Sequence, residues 1–150
     1  VITVDEEEWD TPVGAQLRAA QRAELDARYG SSDHEPGTAP SVDDIVVFVV
    51  ARDDDAVGIG CGGLRLLGNH EAEIKRMYVV PAQRGRGASV AILRRLEDSA
   101  RRLGIRVLKL ETGTGQPDAV RFYEREGYSK IDPFGAYVDE PTSLCFARTL

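Results

Sequence analysis

Apolar residues along the chain recur with two periods, and the alternation between them predicts an α/β (α+β) domain. Ile2 to Val4 reads as a short strand. Asp10 or Thr11 caps a helix with Pro12 in its first turn, and Val13, Leu17, Ala20, Leu25 and Tyr29 carry the helical spacing up to Gly30. Ser31 to Asp44 is rich in Ser, Asp, Pro and Gly and reads as a loop. Ile45 to Ala51 is an unbroken β-branched and aromatic run, as buried strands are. Asp53 to Asp55 turns the chain into Val57 to Leu67, completing a hairpin. The glycines at 58, 60, 62 and 63 weaken that second strand and mark a bulge or a place where a ligand nears the backbone.

Gly68, Asn69 and His70 form a second turn. Glu73 to Val80 then alternates until Pro81 stops it, which puts Glu73 on one face with Lys75, Met77 and Val79 if no bulge intervenes. After Gly87 a helix carries Ile92, Leu93, Leu96, Ala100 and Leu103 on one face and ends at Gly104. A strand from Ile105 to Glu111, a helix from Pro117 to about Gly127, and strands at Tyr128 to Ile131 and Ser143 to Ala147 complete the chain. With neither repeat nor linker, residues 1–150 are expected to form one domain.

Charge sharpens this picture. The chain carries −6 overall, yet Lys75 to Lys109 holds ten Lys or Arg against Glu97 and Asp98, which leaves −14 for the remainder. A basic segment within an acidic protein suits a small polyanion better than a nucleic acid. Arg94, Arg95, Arg101 and Arg102 read as a solvated helix face. The acidic opening stretch is unlike a secretory signal, and starting on Val1 rather than Met leads us to expect preceding residues. No run is long and apolar enough for a membrane span. Cys61 and Cys145, without metal-ligand spacing, read as buried reduced thiols, and His34 and His70 stand alone. A cytoplasmic setting and no bound metal are expected.

The strongest chemical feature lies between Glu73 and Leu103. A helix N-terminus exposes unpaired backbone N–H groups and about half a positive charge. Gly85 and Gly87 let an anion approach that backbone, and Arg84 and Arg86 add guanidinium groups. A pyrophosphate fits this arrangement. The turn fails the dinucleotide fingerprint, having Val90 at the sixth position, and no P-loop Gly-Lys-Ser/Thr is present. A nucleotide-dependent oxidoreductase is therefore the weaker alternative.

The run Met77-Tyr78-Val79-Val80-Pro81-Ala82-Gln83-Arg84-Gly85-Arg86-Gly87-Ala88 resembles motif A of the GNAT N-acetyltransferases, with Ser89 at its last position in place of Gly or Ala. Gln116 to Tyr128 resembles motif B, with Gln116 in place of Asn. The resemblance implies a mixed, mostly antiparallel twisted sheet of about six to seven strands flanked by helices. It implies acetyl-CoA as co-substrate, touching Met77, Tyr78, Val79, Arg84, Gly85, Arg86, Gly87, Ala88, Ser89 and Gln116. It assigns the Val79 N–H to polarise the thioester and Tyr123 to protonate the departing thiolate. Glu73 matches the position of the general base in some relatives; Glu111, at the end of the next strand, is a second candidate.

Acceptor pockets in that family draw on segments that correspond here to Arg18 to Asp44 and Asp132 to Thr142. Both are acidic, with Glu24, Asp26, Asp33, Glu35, Asp43, Asp44, Asp132, Asp139 and Glu140. A small cationic amine is thus the expected acceptor, with no nucleic acid or membrane partner and a homodimer as the family-level assembly. A non-catalytic acyl-CoA-binding or regulatory domain on the same fold is the other reading.

Overall fold

The computed structural model describes residues 1–32 and 34–150; Asp33, among the loop acids above, lies outside the described residues. In chain order the elements are β1 (Thr3–Glu6), α1 (Pro12–Tyr29), β2 (Ile45–Arg52), β3 (Gly58–Gly68), β4 (Glu71–Val79), α2 (Ala88–Arg102), β5 (Val107–Gly113), α3 (Pro117–Arg125), β6 (Ser129–Ile131) and β7 (Ser143–Thr149). All seven strands form one sheet in the order β1-β2-β3-β4-β5-β7-β6. Every pairing is antiparallel except β4 with β5. Among the described residues no helix is long and apolar enough to cross a membrane.

Local chemistry accounts for the helix ends. Thr11 caps α1, its side chain accepting from the Gly14 N–H at 3.3 Å, with Pro12 in the first turn and Gly30 left-handed at the end. This helix covers one face of the sheet, where Leu17 packs with Phe48, Val50, Cys61 and Tyr78. The opposite face carries the larger core. There Ile92, Leu93, Leu96 and Ala100 of α2 lie fully buried against Val49, Leu64, Leu108 and Phe146. Each such aliphatic side chain contributes roughly 1.5–3 kcal/mol relative to exposure.

The β3 glycines serve that packing. A Cβ on Gly62 would sit 2.9 Å from Ile92 Cγ2 and 2.9 Å from Met77 Sδ, so the missing side chain lets α2 lie close on the sheet. Opposite Gly62 the register with β4 shifts between the pairs Cys61–Tyr78 and Gly63–Lys75. Arg76, at φ 60°, is the bulged residue. The expected alternation therefore breaks. Glu73 and Lys75 share the α1 face with Tyr78, whereas Ile74, Met77 and Val79 turn to the α2 face.

The expected arginine face of α2 also needs correction. Arg101 pairs with neighbouring Asp98 at the surface, but Arg94 donates to the buried Glu97 at 2.8 and 3.0 Å and to Glu126 at 2.7 Å. Glu97 further accepts from Tyr128 and Arg148, each at 2.8 Å, which ties α2 to β7 and to the end of α3.

Candidate active site

The parallel strands β4 and β5 pair over three residues, from Glu71–Val107 to Glu73–Lys109, and then part. Beyond that point β4 has no strand partner but β3 and β5 none but β7, so two strand edges face each other across an opening. Its orientation follows from hydrogen-bond alternation. The Val80 N–H donates to Ile59 O at 2.8 Å, which makes that pair hydrogen-bonded and turns the Val79 N–H away from β3, into the split.

A cavity of about 460 Å³ occupies the opening, reaching Gln21, Tyr29, Glu35, Lys75, Arg76, Met77, Glu111, Thr112, Gln116, Tyr123 and Ser143. It connects the two faces of the sheet. Tyr123, on α3, stands on the α2 face, edge-on to Phe122 and Tyr128 with ring centroids 5.1 and 5.8 Å away. Burial raises its phenol above the ordinary tyrosine range, so it stays protonated at any physiological pH. Its hydroxyl makes no hydrogen bond with a described residue.

Across the sheet, on the α1 face, charged groups gather. Glu111 lines the cavity and accepts from Ser143 Oγ at 2.6 Å. Burial raises its carboxyl above the usual range, and the Glu73 and Glu35 charges add to this, against the Ser143 hydrogen bond and Lys75. Glu73 is sealed more deeply, at 2% exposure, and accepts from Tyr137 Oη at 2.5 Å. The same hydroxyl accepts from Lys75 Nζ at 3.1 Å.

Two buried polar atoms along the split have no partner among the described residues: Gln21 Oε1, whose Nε2 donates to Met77 O at 2.9 Å, and Thr112 Oγ1. Left unmet, each costs about 1–3 kcal/mol. A ligand with amide groups, lying between the strand edges, would satisfy both. At the far end of β4, after a 3-10 turn at Pro81–Gln83, Gly85 and Gly87 adopt φ of 79° and 88°. With Gly87 at the cap of α2, the backbone N–H groups of Ala88, Ser89 and Val90 precede the first intrahelical bond, from Ala91 to Gly87 O at 3.0 Å. Free backbone amides at the turn and strand edges without a neighbouring strand thus fit a ligand that joins an amide-bearing arm to a diphosphate, as coenzyme A does.

A profile of the acetyltransferase (GNAT) family matches residues 4–128. The chain belongs to the GNAT acetyltransferase family. It is accordingly an acyltransferase. It is 38% identical over 104 residues to an IAA acetyltransferase of Azospirillum brasilense, a match spanning 69% of this chain and 67% of that one. Its fold matches a GNAT family acetyltransferase of Elizabethkingia anophelis with acetyl-CoA bound, at TM-score 0.74 and 18% identity, over 99% of this chain and 98% of that one. The PaiA N-acetyltransferase of Thermoplasma acidophilum in complex with coenzyme A superposes with TM-score 0.72 and 15% identity, over 100% and 99% of the two chains.

In this GNAT chain the residues singled out from the sequence divide between the split and the turn at the start of α2, and not all stand in the expected manner. Met77, Gln116 and Tyr123 line the cavity, and Glu111 reaches it where Glu73 does not. Tyr78 contributes its backbone to β4 while its ring packs under α1 with Leu17 and Phe48. Arg86 is exposed at the turn. The Arg84 guanidinium is already held, with Nε donating to Val79 O at 2.9 Å and Nη2 to Glu24 at 2.7 and 2.9 Å.

Sequence reasoning missed Tyr137 and Lys75, which are buried beside Glu73, and Tyr29, whose hydroxyl accepts from Gln116 Nε2 at 3.2 Å over Gly113. Of the eight described acids expected to attract a cationic acceptor, four are engaged by the protein's own bases. Besides Glu24 on Arg84, Asp26 meets His34 at 2.7 Å, Asp44 meets Arg65 at 3.2 Å, and Glu35 binds Arg76 through both carboxylate oxygens.

Proposed function

We propose that the protein transfers the acetyl group of acetyl-CoA directly to the primary amine of a small molecule. One observation carries this reading: the split in the sheet has a protonated phenol on one face and a carboxylate of raised pKa on the other. Amine acylation needs that polarity, because the nucleophile must lose a proton where it enters and the thiolate must gain one where it leaves.

Acetyl-CoA, when bound, supplies the activated thioester. The amides of residues 85–90 and the Arg86 guanidinium hold its diphosphate, with Arg84 joining them on exchanging Glu24 for phosphate. The Val79 N–H and the facing edges of β4 and β5 hold its arm as an added strand. Glu111 takes a proton from the incoming ammonium, directly or through water, while its Ser143 bond fixes its orientation. Val79 N–H donates to the carbonyl oxygen as negative charge gathers there. The nitrogen bonds to the carbonyl carbon as the carbon–sulfur bond breaks; Tyr123 gives its proton to the leaving sulfur, and the second proton released by the nitrogen restores the phenol through water. Glu73, saturated by Tyr137 and Lys75, acts as a positioning group. The buried free thiols of Cys61 and Cys145 support a cytoplasmic setting for the reaction.

The test pairs acetyl-CoA binding, by calorimetry, with thiol release over a panel of primary amines. Tyr123→Phe is expected to bind acetyl-CoA as the wild type does and to lose roughly 10²–10⁴-fold in kcat. Wild-type turnover in that variant removes the assigned acid. Tight acetyl-CoA binding with no turnover of any amine removes the enzymatic reading itself.

A further inference from the structure

Five charged groups meet on the α1 face at the wall of the split. Glu73, Lys75 and Arg76 stand on β4, Glu111 stands on β5, and Glu35 alone arrives from an irregular segment, residues 34–44. Glu35 binds the Arg76 guanidinium through both oxygens, with Nη2 to Oε1 at 3.1 Å, and approaches Lys75 Nζ to 3.6 Å. Burial opposes its charge, but the Arg76 hydrogen bond and the charges of Lys75, Arg76 and Arg22 outweigh it and hold the carboxyl below its ordinary range. This paired geometry is the one guanidinium groups use for carboxylates and phosphate-like anions of any origin.

The two cations are built into the site. Lys75 is 7% exposed, and its ammonium is fixed by Tyr137 Oη at 3.1 Å and Glu73 at 3.7 Å. Arg76 holds a left-handed backbone, φ 60°, a conformation unfavourable for a non-glycine residue, and reaches the cavity from the bulge. If Glu35 swings away with its segment, Lys75 and Arg76 face the cavity with Glu73 alone beside them, and Glu111 stands across the split on the neighbouring strand.

We propose that Lys75 and Arg76 form a subsite for an acidic group on the acceptor, and that Glu35 occupies it until the acceptor takes its place. The acceptor is then a zwitterion: a primary amine, delivered to Glu111, that also carries a carboxylate or a phosphonate. This rests on the amine-acetylation reading and narrows it, because a purely cationic amine would leave Arg76 without its paired carboxylate and Lys75 with Glu73 alone once Glu35 departs.

The experiment compares matched acceptors in the intact enzyme: an amino acid with its carboxamide, and an aminoalkylphosphonate with its neutral diester. We expect the acidic member of a pair to be preferred by roughly 10- to 100-fold in kcat/KM, the range of one charge-assisted hydrogen bond. The pair with the larger ratio identifies the acid. In Arg76→Gln that preference falls towards unity through KM, and in Glu35→Gln the KM for the acidic acceptor drops several-fold. Arg76→Gly supplies the same charge loss with a residue suited to the left-handed bulge, should Arg76→Gln fold poorly. Equal use of acidic and neutral acceptors, or a preference untouched by Arg76→Gly, overturns the subsite but leaves acetyl transfer standing. Absence of turnover with every amine overturns both.

Discussion

Two buried glutamates accept a hydrogen bond from a tyrosine hydroxyl, Glu97 from Tyr128 at 2.8 Å and Glu73 from Tyr137 at 2.5 Å. They lie on opposite faces of one sheet, and both are almost wholly removed from solvent. Glu97 is enclosed by two further donors, Arg94 and Arg148, under a region where every strand finds its neighbour. Glu73 sits where β4 and β5 cease to pair, beside a basic pair and a second carboxylate. Burial and pairing are common to both, so neither marks the site. The difference is the open sheet edge and cavity alongside, which one cluster has and the other lacks.

That distinction breaks most readily at Glu111. If the split carries the chemistry, Glu111→Gln should lower kcat/KM by roughly 10²–10⁴-fold. The wild-type profile should rise with pH through a pKa above the ordinary carboxylate range, because only the ionised form accepts a proton, and this limb should vanish in the variant. Stability should move the other way. A carboxyl whose folded pKa is raised favours the fold fully below its unfolded pKa and loses that contribution as pH climbs through the folded one. At pH 7 Glu111→Gln should therefore be as stable as the wild type or more so. A variant that keeps its activity would shift the base to Glu73 or to water.

The opposite outcome is expected at Glu97. Glu97→Ala leaves Arg94, Arg148 and the Tyr128 hydroxyl without their shared acceptor. Breaking such a cluster costs about 3–5 kcal/mol. For a chain of this length the melting temperature should fall by roughly 6–20 °C. Turnover per folded molecule should persist, since nothing in the split touches Glu97. A variant that melts normally but has lost activity would erase the contrast between the two faces.

Much of this contrast was legible in the sequence, and the remainder was hidden for definable reasons. The helices and strands announced themselves through periodic apolar positions and through Thr11, Pro12, Gly30 and Pro117. The turn before α2 was visible because positive φ at 85 and 87 favours glycine. The bulge was not, because the residue in its left-handed position is Arg76, a type that gives no turn signal, and its presence reverses the face of Met77 and Val79. Nor does sequence state where two strands stop pairing, so it did not tell Glu111, at the cavity, from Glu73, behind it. Glu35 comes from an irregular segment and Tyr137 from a single 3-10 turn, Gly135–Tyr137, neither long enough to show a period, and only their tertiary contacts with β4 reveal them.

The finest test of the comparison removes one oxygen from each side. In Tyr128→Phe, Glu97 retains Arg94 and Arg148 but loses one donor from a carboxylate that is only 1% exposed. A bond to a charged acceptor is worth about 1.5–3 kcal/mol net, so the denaturation midpoint should fall measurably. In Tyr137→Phe the lost hydroxyl stood between Glu73 and Lys75, 2.5 and 3.1 Å from them, and the two charges, already 3.7 Å apart, can close on each other. The stability loss should be the smaller of the two. Its mark should fall on KM for the acceptor instead, because an ammonium drawn back to Glu73 offers less to an incoming acid. Denaturation midpoints and acceptor KM for both variants decide the matter: a larger stability loss in Tyr137→Phe, with KM unmoved, would make the Glu73 cluster a structural twin of the Glu97 one.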